Sequence, residues 1–96
     1  MASSTHNENY QCLLSLLRRT RLRAGITQEQ LGDRLGNSQT FVSKCERGER
    51  RIDVVEFVEI CDAFGADPVD MMRTYLSKRS KKAIPKSQTR SKKELS

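Results

Sequence analysis

The strongest constraint on the fold is a repeated pattern of residues that start and end helices. A side chain that can cap a helix N-terminus precedes four apolar segments, at Thr27, Ser38, Asp53 and Asp67. Glycines stand where helices would end, at Gly25, Gly36, Gly48 and Gly65. Between these signals the apolar residues recur every three to four positions, and no stretch of the sequence alternates as a strand would. The pattern predicts an all-α chain of five short helices.

Some of the predicted helix starts carry a fuller signature. Gln30 follows Thr27 by three residues, and Glu56 follows Asp53 by three, which is the spacing of a capping box. Pro68 stands at the first position of the fifth helix, where its fixed backbone angle favours a helix start. The predicted inward faces, helix by helix, are Leu13, Leu14 and Leu17; Leu31 and Leu35; Val42 and Cys45; Phe57, Ile60, Cys61 and Phe64; and Val69, Met72 and Leu76. On the fifth helix, Met71 and Tyr75 are also candidates for the core, together with Met72.

The most specific part of the sequence joins the second and third predicted helices. It reads TQEQLGDRLGNSQTFVSKCERGE over residues 27–49. Gly32 is small where two helices would cross closely, and Gly36 permits a sharp turn between them. Small residue, turn glycine and inward apolar residues at this spacing predict a helix-turn-helix.

The outward side of the third helix is polar and poor in acids. On a helical wheel, Val42 and Cys45 point inward, and the opposite side carries Gln39, Thr40, Ser43, Lys44 and Arg47. Taken alone, such a face is most often simply solvated. Beside a helix-turn-helix, its amide, hydroxyl and ammonium groups have the chemistry that meets base edges in the major groove.

The chain resembles the phage repressor and Cro-like, or XRE-type, helix-turn-helix family. The resemblance covers residues 13–76 and is carried by Arg21 before GITQEQLG, by LGNSQTFVSKCERGERR, and by FVEICDAFGADPVDMM. It implies a compact five-helix, lambda-repressor-like DNA-binding domain. In that family the position of Gln28 contacts a phosphate and supports the first residue of the recognition helix, here Gln39. With Ser43 added from the outward face, the expected base-reading residues are Gln39, Thr40, Ser43 and Lys44.

The resemblance also assigns structural and backbone-binding residues. The family's arginine and glutamate at the positions of Arg21 and Glu46 pair, tying the first helix to the recognition helix. The loop over residues 47–51 resembles the family's phosphate-binding segment, which gives Arg47, Arg50 and Arg51 that role. Thr20 and Cys45 stand where larger aliphatic residues are usual, which predicts a slightly underfilled core, and Ile52 stands where proline is common.

Charge divides the chain into unequal parts. The net charge is +6, but residues 77–96 alone hold eight basic residues and one acid. Residues 18–51 have a net charge of +5, and residues 53–70 contain six acids and no base. We therefore expect a folded domain over residues 10–76, a disordered segment at 1–9 and a disordered basic tail at 77–96.

Several classes of protein are disfavoured. The sequence has no apolar run long enough to span a membrane and no signal peptide, so we expect a cytoplasmic protein. Three widely spaced cysteines and one histidine, His6, fit neither a disulfide framework nor a zinc site, and they offer no catalytic pair. We expect no enzyme activity, no cofactor and no metal.

The sequence favours a DNA-binding transcriptional regulator, specifically a repressor that binds a palindromic operator as a homodimer. One recognition helix reads only a few base pairs, so helix-turn-helix proteins generally place two on the DNA. The alternative is an antitoxin-like or other protein-interaction module whose helix-turn-helix serves autoregulation. The basic tail would add salt-sensitive affinity for DNA in the first case and fold on a protein partner in the second.

Overall fold

The computed structural model describes residues 7–79, and these fold into five α-helices without a strand. The helices are α1 (Glu8–Arg23), α2 (Gln28–Leu35), α3 (Gln39–Glu46), α4 (Val54–Phe64) and α5 (Pro68–Lys78). The prediction of an all-α, five-helix chain is confirmed. The predictions made for His6 and for the tail beyond Arg79 lie outside the described residues.

The capping signatures in the sequence set most helix ends. Thr27 and Asp53 each accept a hydrogen bond from the backbone three residues on, and Gln30 and Glu56 return one, so both predicted capping boxes are present. Helix α1 begins two residues before residue 10, the predicted start of the folded domain. Asn7 Oδ1 accepts from the backbone N–H groups of residues 9 and 10, at 2.7 and 3.1 Å, and the helix therefore begins at Glu8 instead of residue 10.

Two neighbouring groups of buried side chains form the core. The larger joins α1, α4 and α5 through Leu16, Leu17, Phe57, Ile60, Cys61 and Met71. The smaller lies under the helix-turn-helix and contains Ile26, Leu31 and Val42. Leu35 and Phe64 are partly buried and pack against both groups, which connects α2 to α4. The recognition-helix candidate α3 thus rests, through Val42, on the smaller group, against which residues of α2 and α4 also pack.

The predicted apolar side of α5 is wrong for Val69, Met72 and Leu76, whereas the expectation that Met71 and Tyr75 lie in the core is confirmed. Val69, Met72 and Leu76 are 61%, 40% and 46% exposed, whereas Met71 is buried and Tyr75 is half-buried. Apolar residues occupy two sides of this helix, so its spacing alone fits either face. Packing against α1 and α4 selects the side that carries Met71 and leaves the other apolar side uncovered.

Gly32 and Gly36 shape the joint between α2 and α3. A Cβ atom on Gly32 would lie 2.9 Å from the backbone carbon and oxygen of Ser38 and 3.0 Å from the carbonyl oxygen of Asn37. The two helices can therefore approach this closely only where residue 32 has no side chain. Gly36 has φ of 68°, in the left-handed region, and ends α2.

A small cavity lies in the core behind α3. Its volume is about 20 Å³, and its lining includes Leu17, Leu31, Val42, Cys45 and Ile60. Cys45, one of the two residues smaller than the family norm, thus faces space that a larger side chain could use.

None of the helices in residues 7–79 is both long and apolar enough to cross a bilayer.

Candidate nucleic-acid interface

The outward side of α3 presents polar side chains to solvent. Gln39, Thr40 and Lys44 are exposed, whereas Val42 and Cys45 on the opposite side are buried. Ser43, also predicted to face outward, is half-buried. The structure therefore brings three of the four predicted base-reading residues together on one accessible surface.

The first of these side chains, Gln39, is held from behind by Gln28. Gln39 Nε2 donates to Gln28 Oε1 at 3.4 Å, and Gln28 Nε2 donates to Glu46 Oε1 at 2.9 Å. A carboxylate only accepts hydrogen bonds, so Gln28 must turn its amide nitrogen toward Glu46 and its oxygen outward. Gln39 is then the donor to Gln28, and it keeps its own carbonyl oxygen and a second N–H for another partner.

Glu46 also pairs with Arg21 of α1. Arg21 Nε donates to Glu46 Oε2 at 2.6 Å, and Arg21 Nη2 donates to Oε1 at 3.1 Å. The remaining nitrogen, Nη1, donates to the carbonyl oxygen of Ile26 at 2.8 Å. The two side chains are 7% and 12% exposed, so water screens the pair weakly. This bidentate contact fixes the end of α3 against α1.

Arg47, Ser43 and Glu49 form a second cluster at the end of α3. Arg47 Nε donates to Glu49 Oε2 at 2.8 Å and Nη2 donates to Oε1 at 3.2 Å, while Nη1 donates to Ser43 Oγ. The hydrogen bond and the charge of Arg47 hold the pKa of the Glu49 carboxyl below its usual value. Arg47, predicted to bind phosphate, thus has an anionic partner within the protein itself.

Arg50 is held by contacts with three other residues. Its guanidinium lies 4.7 Å from the centre of the Phe41 ring, pairs with Glu56 at 2.9 Å and donates to the carbonyl oxygen of Arg51 at 3.0 Å. The hydrogen bond from Arg50 lowers the pKa of Glu56, with the backbone of Asp53 contributing. Glu56 also closes the capping box of α4, so this pair joins the loop after α3 to the next helix.

Arg51 stacks on α1. Its guanidinium lies 4.5 Å from the centre of the Tyr10 ring, and it forms no ion pair with any acid of residues 7–79. The next residue, Ile52, donates its backbone N–H to Tyr10 Oη at 3.0 Å. Proline, which is common at this position in the resembled family, has no N–H and could not make this bond. The departure at Ile52 therefore has a structural use, because it fastens the loop to the start of α1.

Sequence reasoning missed Arg18, Glu49 and Tyr10 at this surface. Arg18 Nε lies 3.9 Å from Glu46 Oε1, although the Arg18 side chain remains largely exposed. The position of Arg18 one helical turn before Arg21 is a local signal that could have found it. Glu49 lies two residues after Arg47 and beyond the end of α3, so helical spacing does not indicate their pairing. Tyr10 is 41 residues from Arg51 in sequence, so no local pattern indicates their contact.

The buried cysteines fill the core. Burial raises the pKa of the Cys61 thiol to about 11, and nearby Asp62 and Asp67 add to the effect. Burial also raises the pKa of Cys45, against an opposing effect from Arg50. Both side chains lie on inward faces, as the sequence predicted, and both are held as thiols at neutral pH.

Comparisons with known proteins decide the family. A helix-turn-helix domain family matches residues 13–73. An XRE-family like protein from Pseudomonas syringae pv. tomato has a similar structure, with a TM-score of 0.72 and 49% sequence identity, covering 75% of this chain and 88% of that one. This chain belongs to the XRE-type helix-turn-helix family. The resemblance read from the sequence is thereby confirmed.

One further relative and one further structure resemble this XRE-type chain. An uncharacterised HTH-type transcriptional regulator of Sinorhizobium fredii is 37% identical over 54 residues, which are 56% of this chain and 70% of the relative. The clp gene regulator of C. glutamicum shares the fold, with a TM-score of 0.66 at 24% identity over 75% of this chain and 94% of that one. The family membership supports DNA binding and transcription regulation as the general role of the XRE-type chain.

Proposed function

We propose that this chain is a sequence-specific DNA-binding transcriptional regulator that inserts α3 into the major groove of its operator. The observation that carries the proposal is the exposed set of Gln39, Thr40 and Lys44, with Gln39 held by the hydrogen-bonded chain to Gln28, Glu46 and Arg21. A solvated surface glutamine has no need of such support. A glutamine that reads a base benefits from it, because less side-chain entropy is lost on binding.

The orientation of Gln39 favours adenine as its partner. With one N–H given to Gln28, the Gln39 amide retains a carbonyl oxygen and an N–H on its outer edge. Adenine presents an N6 donor and an N7 acceptor in the major groove, and a glutamine amide can satisfy both at once. Lys44, one helical turn further along α3, has an ammonium group suited to the acceptor atoms of guanine. Thr40 and Ser43 complete the proposed reading face.

Phosphate binding is assigned to Gln28, Arg47, Arg50 and Arg51. The three arginines follow the recognition helix, where side chains reach the DNA backbone on either side of the groove. Arg51 lacks an acidic partner among residues 7–79 and is therefore the most available of the three. Apart from Glu56, which pairs with Arg50 beside the loop, the acids of α4 and α5 would face away from the DNA.

We further propose that the protein acts as a homodimer on a two-fold-related operator. The apolar side of α5 left uncovered by the fold, with Val69, Met72 and Leu76, supports association of two copies. Two recognition helices spaced by about one turn of DNA, roughly 34 Å, would then contact equivalent half-sites. Where the operator overlaps a promoter, the bound dimer would exclude RNA polymerase and repress transcription.

The test is selection of binding sequences from a random duplex DNA pool, with the mass of the selected complex measured. We expect enriched sites built from two inverted half-sites, and a complex of two chains per duplex. Enrichment of a single unrepeated site bound by one chain would contradict the homodimer. A pool that gains no preferred sequence would contradict sequence-specific binding.

A further inference from the structure

Each of the three guanidinium nitrogens of Arg47 donates a hydrogen bond to a side chain of its own loop or helix. Two of its nitrogens donate to the two carboxylate oxygens of Glu49, at 2.8 and 3.2 Å, and the third donates to Ser43 Oγ. This is the side-on, bidentate geometry that an arginine also uses toward a phosphate. The Glu49 carboxylate therefore occupies the part of Arg47 that a DNA phosphate would otherwise take.

The contact lies at the surface, where DNA can compete for it. The Arg47 and Glu49 side chains are 53% and 52% exposed, and exposed pairs of this kind are weak. Glu56, which pairs with Arg50 in the same region, is more buried and also closes the cap of α4, so that pair is part of the fold. Glu49 has no such structural role among residues 7–79.

We propose that Glu49 is a specificity-determining residue that acts through Arg47 and suppresses sequence-independent binding to DNA. The inference rests on the DNA-binding function proposed above. If Arg47 binds a phosphate, the Glu49 carboxylate loses its partner beside the DNA and binds a cation from solution. That uptake offsets the counterion release from which binding to DNA of any sequence gains its affinity.

The effect differs between random DNA and the operator. On random DNA the protein adopts whichever register gives the most phosphate contacts, and an unpaired Arg47 would add one. On the operator, contacts from Gln39 and Lys44 to bases fix the register of the protein on the DNA. The register in turn restricts which phosphates Arg47 can reach. Glu49 thus lowers affinity for random DNA more than affinity for the operator.

The first test is Glu49→Gln, which preserves size and removes the charge. We expect affinity for a random duplex to rise roughly two- to fivefold, the range that corresponds to the strength of an exposed pair. The plot of log affinity against log salt should steepen by up to about 0.9, the value for one added phosphate contact. Affinity for the operator should rise by a smaller factor.

Two controls separate the proposed mechanism from a general change of charge. The first control, Glu59→Gln, makes the same change at an exposed acid of α4 that forms no ion pair within residues 7–79. Glu59 lies beside Arg34 and not beside the loop after α3. It should leave affinity for random DNA nearly unchanged. In an Arg47→Ala background, Glu49→Gln should have no effect on the salt slope, because the arginine that it releases is absent.

Each outcome bears on a definite part of the inference. If Glu49→Gln matches Glu59→Gln, or keeps its full effect without Arg47, the role assigned to Glu49 is overturned while DNA binding stands. If the unsubstituted protein binds no duplex at low salt, the proposed function fails together with this inference. Equal melting temperatures for the unsubstituted protein and Glu49→Gln would show that the change in affinity does not arise from altered folding.

Discussion

Breaking the pair between Arg21 and Glu46 should cost much of the stability of the domain. In Glu46→Ala the Arg21 guanidinium stays buried, keeps its hydrogen bond to the carbonyl oxygen of Ile26 and loses two bonds to a carboxylate. Removing one member of a buried ion pair typically costs about 3–5 kcal/mol, about half of the total stability of many domains. For a domain of about this size, each kcal/mol lowers the melting temperature by roughly 4–8 °C, so we expect a fall of about 12 °C or more.

Urea unfolding followed by circular dichroism at the helix band measures this loss. A matched control is Asp70→Ala, which breaks the exposed pair of Asp70 and Arg73 on α5 and should cost less than about 1 kcal/mol. Replacing both Arg21 and Glu46 with methionine removes the buried charges together and should be less costly than Glu46→Ala alone. A loss of stability below about 1 kcal/mol for Glu46→Ala would refute the stabilising role of the pair. Strictly additive effects of the two single methionine substitutions would refute it as well.

Two further substitutions test the joint and the core. Gly32→Ala places a methyl group within 3 Å of backbone atoms, so we expect urea unfolding to show a loss of stability of at least about 1–3 kcal/mol. The control is Gly36→Asn, at a left-handed position with open space, which should cost less. Equal losses of stability for the two variants would contradict the close approach at Gly32. Cys45→Val adds a methyl group against the cavity of about 20 Å³ and should raise the unfolding free energy by up to about 0.5 kcal/mol, with Cys12→Val, away from that cavity, as the control. A loss of stability in Cys45→Val would mean that the space is too small to fill.

Much of the fold could be predicted from signals that are local in the sequence. The capping boxes at Thr27 and Asp53 and the glycines at 36 and 65 lie within a few residues of the helix ends that they set, so pattern alone located them. Gly32 was similarly informative, because a small residue at fixed spacing from a turn glycine is typical of two helices that cross closely. These features depend on residues close in sequence, which is why they could be predicted.

The remainder depends on contacts distant in sequence. Met71 is buried because α5 packs on α1 and α4, and no property of α5 itself distinguishes that side from the one with Met72. The stacking of Arg51 on Tyr10 joins the loop after α3 to the start of α1. At the interface, the sequence showed which arginines follow α3. It did not show that Arg47 pairs with Glu49 and Arg50 with Glu56, because these pairs, although close in sequence, depend on the backbone conformation of an irregular loop.

The central claim, that α3 reads bases through Gln39, is tested most directly by exchanging that residue. Selection from a random duplex pool is carried out in parallel with the unsubstituted protein and with Gln39→Arg. Arginine pairs with guanine as glutamine pairs with adenine. We expect the preferred base to change from adenine to guanine at one position in each half-site while the other positions stay the same. An unchanged preference at every position would contradict the assignment of Gln39, and with it the proposed reading surface of α3.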